Sequence, residues 1–185
     1  MISKSKSIRI FLIGLMGAGK TTVGRALAQR CGLRFVDSDH EIEQEQGCSI
    51  SALFARVGEA GFREIEARMI DRLTRLDRIV LATGGGAVLR AENRKALRGR
   101  GTVVYLRASA DDLAHRLRHD RSRPLLQHGD ARAKLHELFR VRDPLYRETA
   151  HFIIDTGRPS AALLANMVQM QLELAGVLPT SGGAP

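Results

Sequence analysis

An apolar run over residues 8–13 ends at Gly14 and opens Gly-Leu-Met-Gly-Ala-Gly-Lys-Thr, residues 14–21. A stretch with Val23, Ala26, Leu27 and Cys31 at helical spacing follows it. A buried strand that turns into a helix through a G-x-x-x-x-G-K-[ST] loop commits the chain to α/β architecture with a phosphate site at the turn. The glycines let successive backbone N–H groups point inward, and the helix adds its unpaired N-terminal donors and positive dipole end. Gly17, Ala18, Gly19 and Thr22 belong to that cradle. Lys20 is placed to reach the β- and γ-phosphates, and the Thr21 hydroxyl to hold Mg²⁺.

Beyond the loop, strands and helices alternate. Residues 34–37, 78–82, 102–106 and 151–155 read as further strands. Helices are expected over 20–31, up to Gln46, over 49–57 and 59–76 with a break at Gly58, and over 91–97, 110–118, 131–141 and 160–175. Ser49 or Ser51 and Ser109 are expected caps, and Pro159 is expected in the first turn of the last helix. Asp111 and Asp112 read as partners of a helix dipole rather than metal ligands. Residues 119–130 lose core periodicity and turn basic, which reads as a mobile lid; residues 176–185, rich in Gly, Pro and Ser, read as a disordered tail. Five strands alternating with helices imply a parallel sheet covered on both faces.

With 185 residues, 44% of them hydrophobic, the chain can bury one sizeable core, so residues 1–175 are expected to form a single domain. It has neither an apolar stretch long enough for a membrane span nor a leader pattern at its start, and a cytoplasmic protein is expected. Cys31 and Cys48 are too few for a disulfide framework. The formal charge of +9 raises the possibility of nucleic acid. Of the 29 basic residues only Lys4, Lys6, Lys20, Lys95 and Lys134 are lysine, and the other 24 are arginines spread along the chain. With 4% aromatics there is little to stack bases on, so a small anionic substrate explains the bias better.

Phosphoryl transfer needs in-line positioning and charge neutralisation more than covalent partners. Asp37-Ser-Asp39 follows the second strand, at the end where a parallel sheet forms its ligand crevice. There Asp37 can hold Mg²⁺ through water, and Asp39 can orient an acceptor hydroxyl and take its proton. Gly84-Gly85-Gly86 removes every side chain from the end of the third strand, which permits close approach of a ligand. Arg123, in the expected lid, could fold over the γ-phosphate as an arginine finger supplied in cis.

These pieces, with Gly58-Glu-Ala-Gly-Phe-Arg63, Glu66, Arg121-Ser-Arg-Pro-Leu-Leu126 and Arg142-Asp-Pro-Leu-Tyr-Arg-Glu148, resemble the shikimate kinases, in the nucleoside-monophosphate-kinase-like branch of phosphate-loop enzymes. The resemblance covers residues 8–175. It implies a three-layer P-loop kinase fold with strand order 2-3-1-4-5 and a substrate-binding segment over about 38–76; a monomer that binds neither nucleic acid nor membrane is expected. It also implies ATP-dependent, Mg²⁺-assisted phosphorylation of the shikimate 3-hydroxyl. On the same resemblance, Asp39 binds ring hydroxyls and serves as base, Arg63 and Arg142 clamp the carboxylate, and Gly85, flanked by Gly84 and Gly86, meets the ring through its backbone. Arg123 acts on ATP, while Arg116, Arg158 and Pro159 border the adenine. Two other readings compete: a gluconate- or nucleoside-monophosphate-type kinase of the same fold, and a nucleotide-dependent switch that binds nucleic acid.

Overall fold

The structure is a computed structural model that describes residues 7–118, 130–157 and 159–180. Five parallel strands, β1 (Arg9–Ile13), β2 (Arg34–Asp37), β3 (Ile79–Ala82), β4 (Thr102–Arg107) and β5 (Phe152–Asp155), form one sheet in the order β2-β3-β1-β4-β5. That is the expected order. Its centre is β1, whose Ile10, Phe11, Leu12 and Ile13 are fully buried, as a strand covered by helices on both faces must be.

The connecting helices are α1 (Lys20–Cys31), α2 (Ser38–Gln46), α3 (Ile50–Leu73), α4 (Ala91–Arg100), α5 (Ala110–Leu117), α6 (Ala131–Thr149) and α7 (Ala161–Leu174), with a 3₁₀ turn at Ala87–Leu89. The expected serine caps form: Ser49 Oγ accepts from the Ala52 amide, and Ser109 Oγ from the Asp112 amide. At the crevice end the register sets Asp37 beside Ala82 and Ala82 beside Leu12. Beyond it, the Thr83 amide donates to the Leu12 carbonyl at 3.1 Å and the Gly84 amide to Ser38 Oγ at 2.9 Å, so the ends of β1, β2 and β3 are stitched together.

The break expected at Gly58 is a kink within α3. Gly58 adopts φ 70° and ψ 177°, which only glycine holds without strain, and helix resumes on either side. Three other expectations are corrected. Residues 142–146 do not leave the helix: α6 runs through Pro144 to Thr149. An interior proline costs a helix about 3 kcal/mol, and the burial of Arg142, Tyr146 and Thr149 around it holds the segment in place. Pro159 lies just outside α7, because Ser160 takes the cap and accepts from the Leu163 amide. The tail does not begin at Gly176: left-handed Gly176 turns the chain so that the Val177 and Leu178 amides both donate to the Leu172 carbonyl, and Leu178 is buried in the core. The expected lid lies outside the described residues except for Asp130, which caps α6 by accepting from the Arg132 and Ala133 amides. Among the described residues no helix is long and apolar enough to cross a membrane.

Candidate active site

The phosphate loop leaves β1 at Gly14 (φ 144°), passes Gly17 (φ 80°) and enters α1 at Gly19 (φ 93°). No side chain caps α1, so its first donors face the crevice as an anion site requires. Lys20 folds back over the loop, Nζ donating to the carbonyls of Gly14 at 2.7 Å and Leu15 at 2.9 Å. Ala18 is buried, while Thr21 and Thr22 stand exposed at the crevice.

Asp37 carries two tasks on its two oxygens. Oδ1 caps α2, accepting from the Asp39 and His40 amides, and Oδ2 accepts from the Thr21 hydroxyl at 2.8 Å. The cap and the metal reading of this aspartate are therefore compatible. A hydroxyl and a carboxylate oxygen held together at the loop are the hard donors that suit Mg²⁺, an ion that keeps several waters and takes its other ligands from phosphate. Among the described residues no three His, Cys, Asp or Glu side chains come together as a metal cluster.

The glycine triplet does something more specific than opening a strand end. A Cβ on Gly84 would lie 2.6 Å from Asp39 Oδ1 and 2.9 Å from Glu66 Oε1, and one on Gly86 only 2.2 Å from Arg63 Nη1. Side chains that line the pocket thus press directly against the glycine backbone. Arg63 lies flat over Gly86, its Cζ 5.3 Å from the Phe62 ring centroid and 5.9 Å from that of Phe54. Its Nη1 donates to Glu66 at 2.8 Å and its Nη2 to Glu59 at 3.1 Å, while its Nε is buried with no acceptor among the described residues. Burial raises the Glu66 carboxyl above the ordinary glutamate range, an effect that the Arg63 guanidinium opposes. Arg142, also buried, donates from Nη1 to the Gly85 carbonyl at 3.1 Å.

Two chambers result. One, about 480 Å³ with its solvent-open space, is walled by Phe54, Phe62, Arg63, Glu66, the glycine triplet and Arg142. The other, about 1350 Å³ on the same measure, lies over the phosphate loop and holds Lys20, Thr21 and Asp37. Met16, Asp39, Ile50 and Gly85 line both. Of the residues expected at the adenine, Arg116 ties the loop to the turn after β5, donating from Nη1 to the Gly17 carbonyl at 3.2 Å and from Nη2 to the carbonyls of Thr156 and Gly157. Pro159 follows that turn; Arg158 and Arg123 lie outside the described residues.

The family model described as shikimate kinase matches residues 16–173. The chain belongs to the shikimate kinase family. Curated shikimate kinases of Ralstonia nicotianae and Cupriavidus pinatubonensis are 59% and 63% identical to it over 177 and 167 residues, covering 95% and 90% of this chain and 93% and 87% of theirs. A solved shikimate kinase of Acinetobacter baumannii, in complex with shikimate, superposes with a TM-score of 0.89 at 47% identity, covering 92% of this chain and 95% of that one. That of Aquifex aeolicus gives 0.80 at 30% identity, covering 95% and 100%. The activity is that of the family, phosphorylation of shikimate by ATP.

Several shikimate-kinase pocket residues carried no assigned role in the sequence reading. Glu66 lies one turn beyond Arg63, a spacing that could have marked the ion pair. Tyr146 likewise lies one turn beyond Arg142 and donates to the same Gly85 carbonyl. Phe54 reaches Phe62 across the Gly58 kink, with ring centroids 4.4 Å apart, and no helical spacing announces that contact.

Proposed function

We propose that the enzyme transfers the γ-phosphoryl group of ATP to the 3-hydroxyl of shikimate across the wall shared by the two chambers. The observation that carries this reading is that Asp39 lines both chambers at once, with Lys20 on one side and Arg63 and Arg142 on the other. A donor and an acceptor bound in adjoining chambers meet there without either crossing bulk water.

In this reading the carboxylate of shikimate sits against Arg63 and Arg142, whose planar forks fix its orientation as well as its affinity. Gly85 presents its backbone to the ring, with Gly84 and Gly86 leaving room. Asp39 accepts a hydrogen bond from the reacting hydroxyl and takes its proton as the oxygen attacks phosphorus. Lys20 exchanges the carbonyls of Gly14 and Leu15 for phosphate oxygens, and the amides of Gly17, Ala18, Gly19, Thr21 and Thr22 surround the phosphates. Arg116, with Arg158 and Pro159, borders the base, and Arg123 closes over the γ-phosphate. Thr21, and Asp37 through water, would hold Mg²⁺. Bound with ATP, the ion neutralises charge on the phosphates. The enzyme acts as a monomer in the cytoplasm, without nucleic acid or membrane.

The test is coupled ADP release with shikimate, gluconate and nucleoside monophosphates as acceptors, together with the regiochemistry of the product. Release dependent on shikimate, with phosphate on the 3-oxygen, is expected. Equal turnover without an acceptor, or phosphate on another oxygen, would overturn the reading.

A further inference from the structure

The Gly85 carbonyl lies where the two chambers meet, and it accepts twice: from Arg142 Nη1 at 3.1 Å and from the Tyr146 hydroxyl. A carbonyl oxygen has two lone pairs, so both acceptor positions are filled. We infer that Tyr146 is a positioning residue for the acceptor, whose hydroxyl, together with Arg142, fixes the Gly85 peptide plane and the Arg142 guanidinium in the orientation that shikimate meets. The inference rests on the assignment of Arg142 and Gly85 to shikimate.

The Gly85 carbonyl would be satisfied by Arg142 alone, so the Tyr146 bond serves the buried phenol, which needs an acceptor, and gives the carbonyl a second donor that it does not itself require. What the second donor adds is a fixed direction. The Tyr146 ring has little freedom to move: it is fully buried and stacks on Tyr105 with centroids 4.8 Å apart and planes 30° apart. Tyr105 in turn donates to Asp143 Oδ1 at 2.8 Å, and Asp143 Oδ2 accepts from Arg147 Nε at 2.7 Å. Arg142 and Tyr146, four apart on α6, face the same target. Burial pushes the Tyr146 phenol far above its ordinary range, so it remains a donor throughout the enzyme's working pH. The helix that carries Arg142 therefore also carries the group that aims it, with the β4 aromatic layer as backing.

The experiment is a double-mutant cycle of Tyr146→Phe and Arg142→Lys in the full-length enzyme. It reads the KM for shikimate, the KM for ATP, kcat and the urea midpoint. Tyr146→Phe keeps the ring and removes one oxygen. It should raise the shikimate KM about five- to twentyfold, leave the ATP KM within about twofold, and combine non-additively with Arg142→Lys. A lower urea midpoint with the shikimate KM unchanged, or equal rises in both Michaelis constants, would show a structural hydroxyl and overturn the inference. The rest of the cycle separates it from the assignment beneath. If Arg142→Lys raises the shikimate KM and Tyr146→Phe does not, the positioning role fails alone. If only Tyr146→Phe raises it, the carboxylate clamp is wrong and the inference, which has Tyr146 aim Arg142, falls with it. If neither raises it, both fail.

Discussion

Gly86→Ala acts on the site chiefly through the Arg63 guanidinium, the group its methyl would meet. Gly86 has φ −97°, a backbone that alanine adopts freely, so the substitution acts only through the space its methyl takes. That methyl would lie 2.2 Å from Nη1 and 2.4 Å from both Cζ and Nη2 of Arg63, where ordinary contact begins at 3.4 Å. The guanidinium must therefore retreat by about 1.2 Å, more than twice the roughly 0.5 Å that a functional constellation tolerates. Glu66 on one edge and the Phe54 and Phe62 rings alongside limit where it can go. Losing one charge-assisted hydrogen bond costs about 1.5–3 kcal/mol, which converts to about a ten- to hundredfold rise in the shikimate KM. The ATP KM should stay near that of the parent enzyme. Steady-state assays that vary each substrate, paired with urea unfolding, read both. A parental shikimate KM in a variant that folds normally would refute the reasoning, because the guanidinium could then move this far without consequence.

Gly99→Ala is the complementary control: the position is exposed on α4 with nothing within 4 Å of the new methyl, so urea unfolding should show stabilisation by about 0.5–1 kcal/mol and kinetics should not change. Asp39→Asn should lower kcat by about 10²–10⁴ while ATP affinity, read by fluorescence titration, is retained; a modest loss in kcat would argue against Asp39 as base. Thr21→Ala removes the hydroxyl bonded to Asp37 and should raise the Mg²⁺ concentration for half-maximal rate about tenfold or more; an unchanged requirement would remove Thr21 from the metal site. Leu178→Ala should cost about 2 kcal/mol in urea unfolding, because Leu178 is buried against the core, and no loss would show that this segment contributes nothing to folding.

The sheet was legible because its signals are local. A phosphate loop must join a strand to a helix, and apolar runs alternating with amphipathic stretches leave few topologies once β1 is central. Gly58 was legible for a similar reason, since glycine within a helical pattern marks a place where helix is not maintained. Pro144 misled because its local penalty was outweighed by burial of Arg142 and Tyr146 on either side, which no window of sequence contains. The C-terminal residues misled in the same way: Gly176 and Pro179 advertise a loose end, yet Leu178 finds a place in the core. At the candidate site, the gathering of Lys20, Thr21, Asp37 and Asp39 around one crevice could be read from position alone. The reason for glycine at 84 and 86 could not, because the atoms that exclude a side chain there belong to Asp39, Glu66 and Arg63 on other elements.

The partition shared by the two chambers also bears on redesign. Met16, Asp39, Ile50 and Gly85 line both chambers, so an exchange at any of them reshapes both spaces together. Phe54, Phe62 and Arg63 touch only the smaller space, and all three project from α3 on either side of its bend. Efforts to teach this scaffold a different cyclic acid should begin on that helix, where the triphosphate cradle is left as it was.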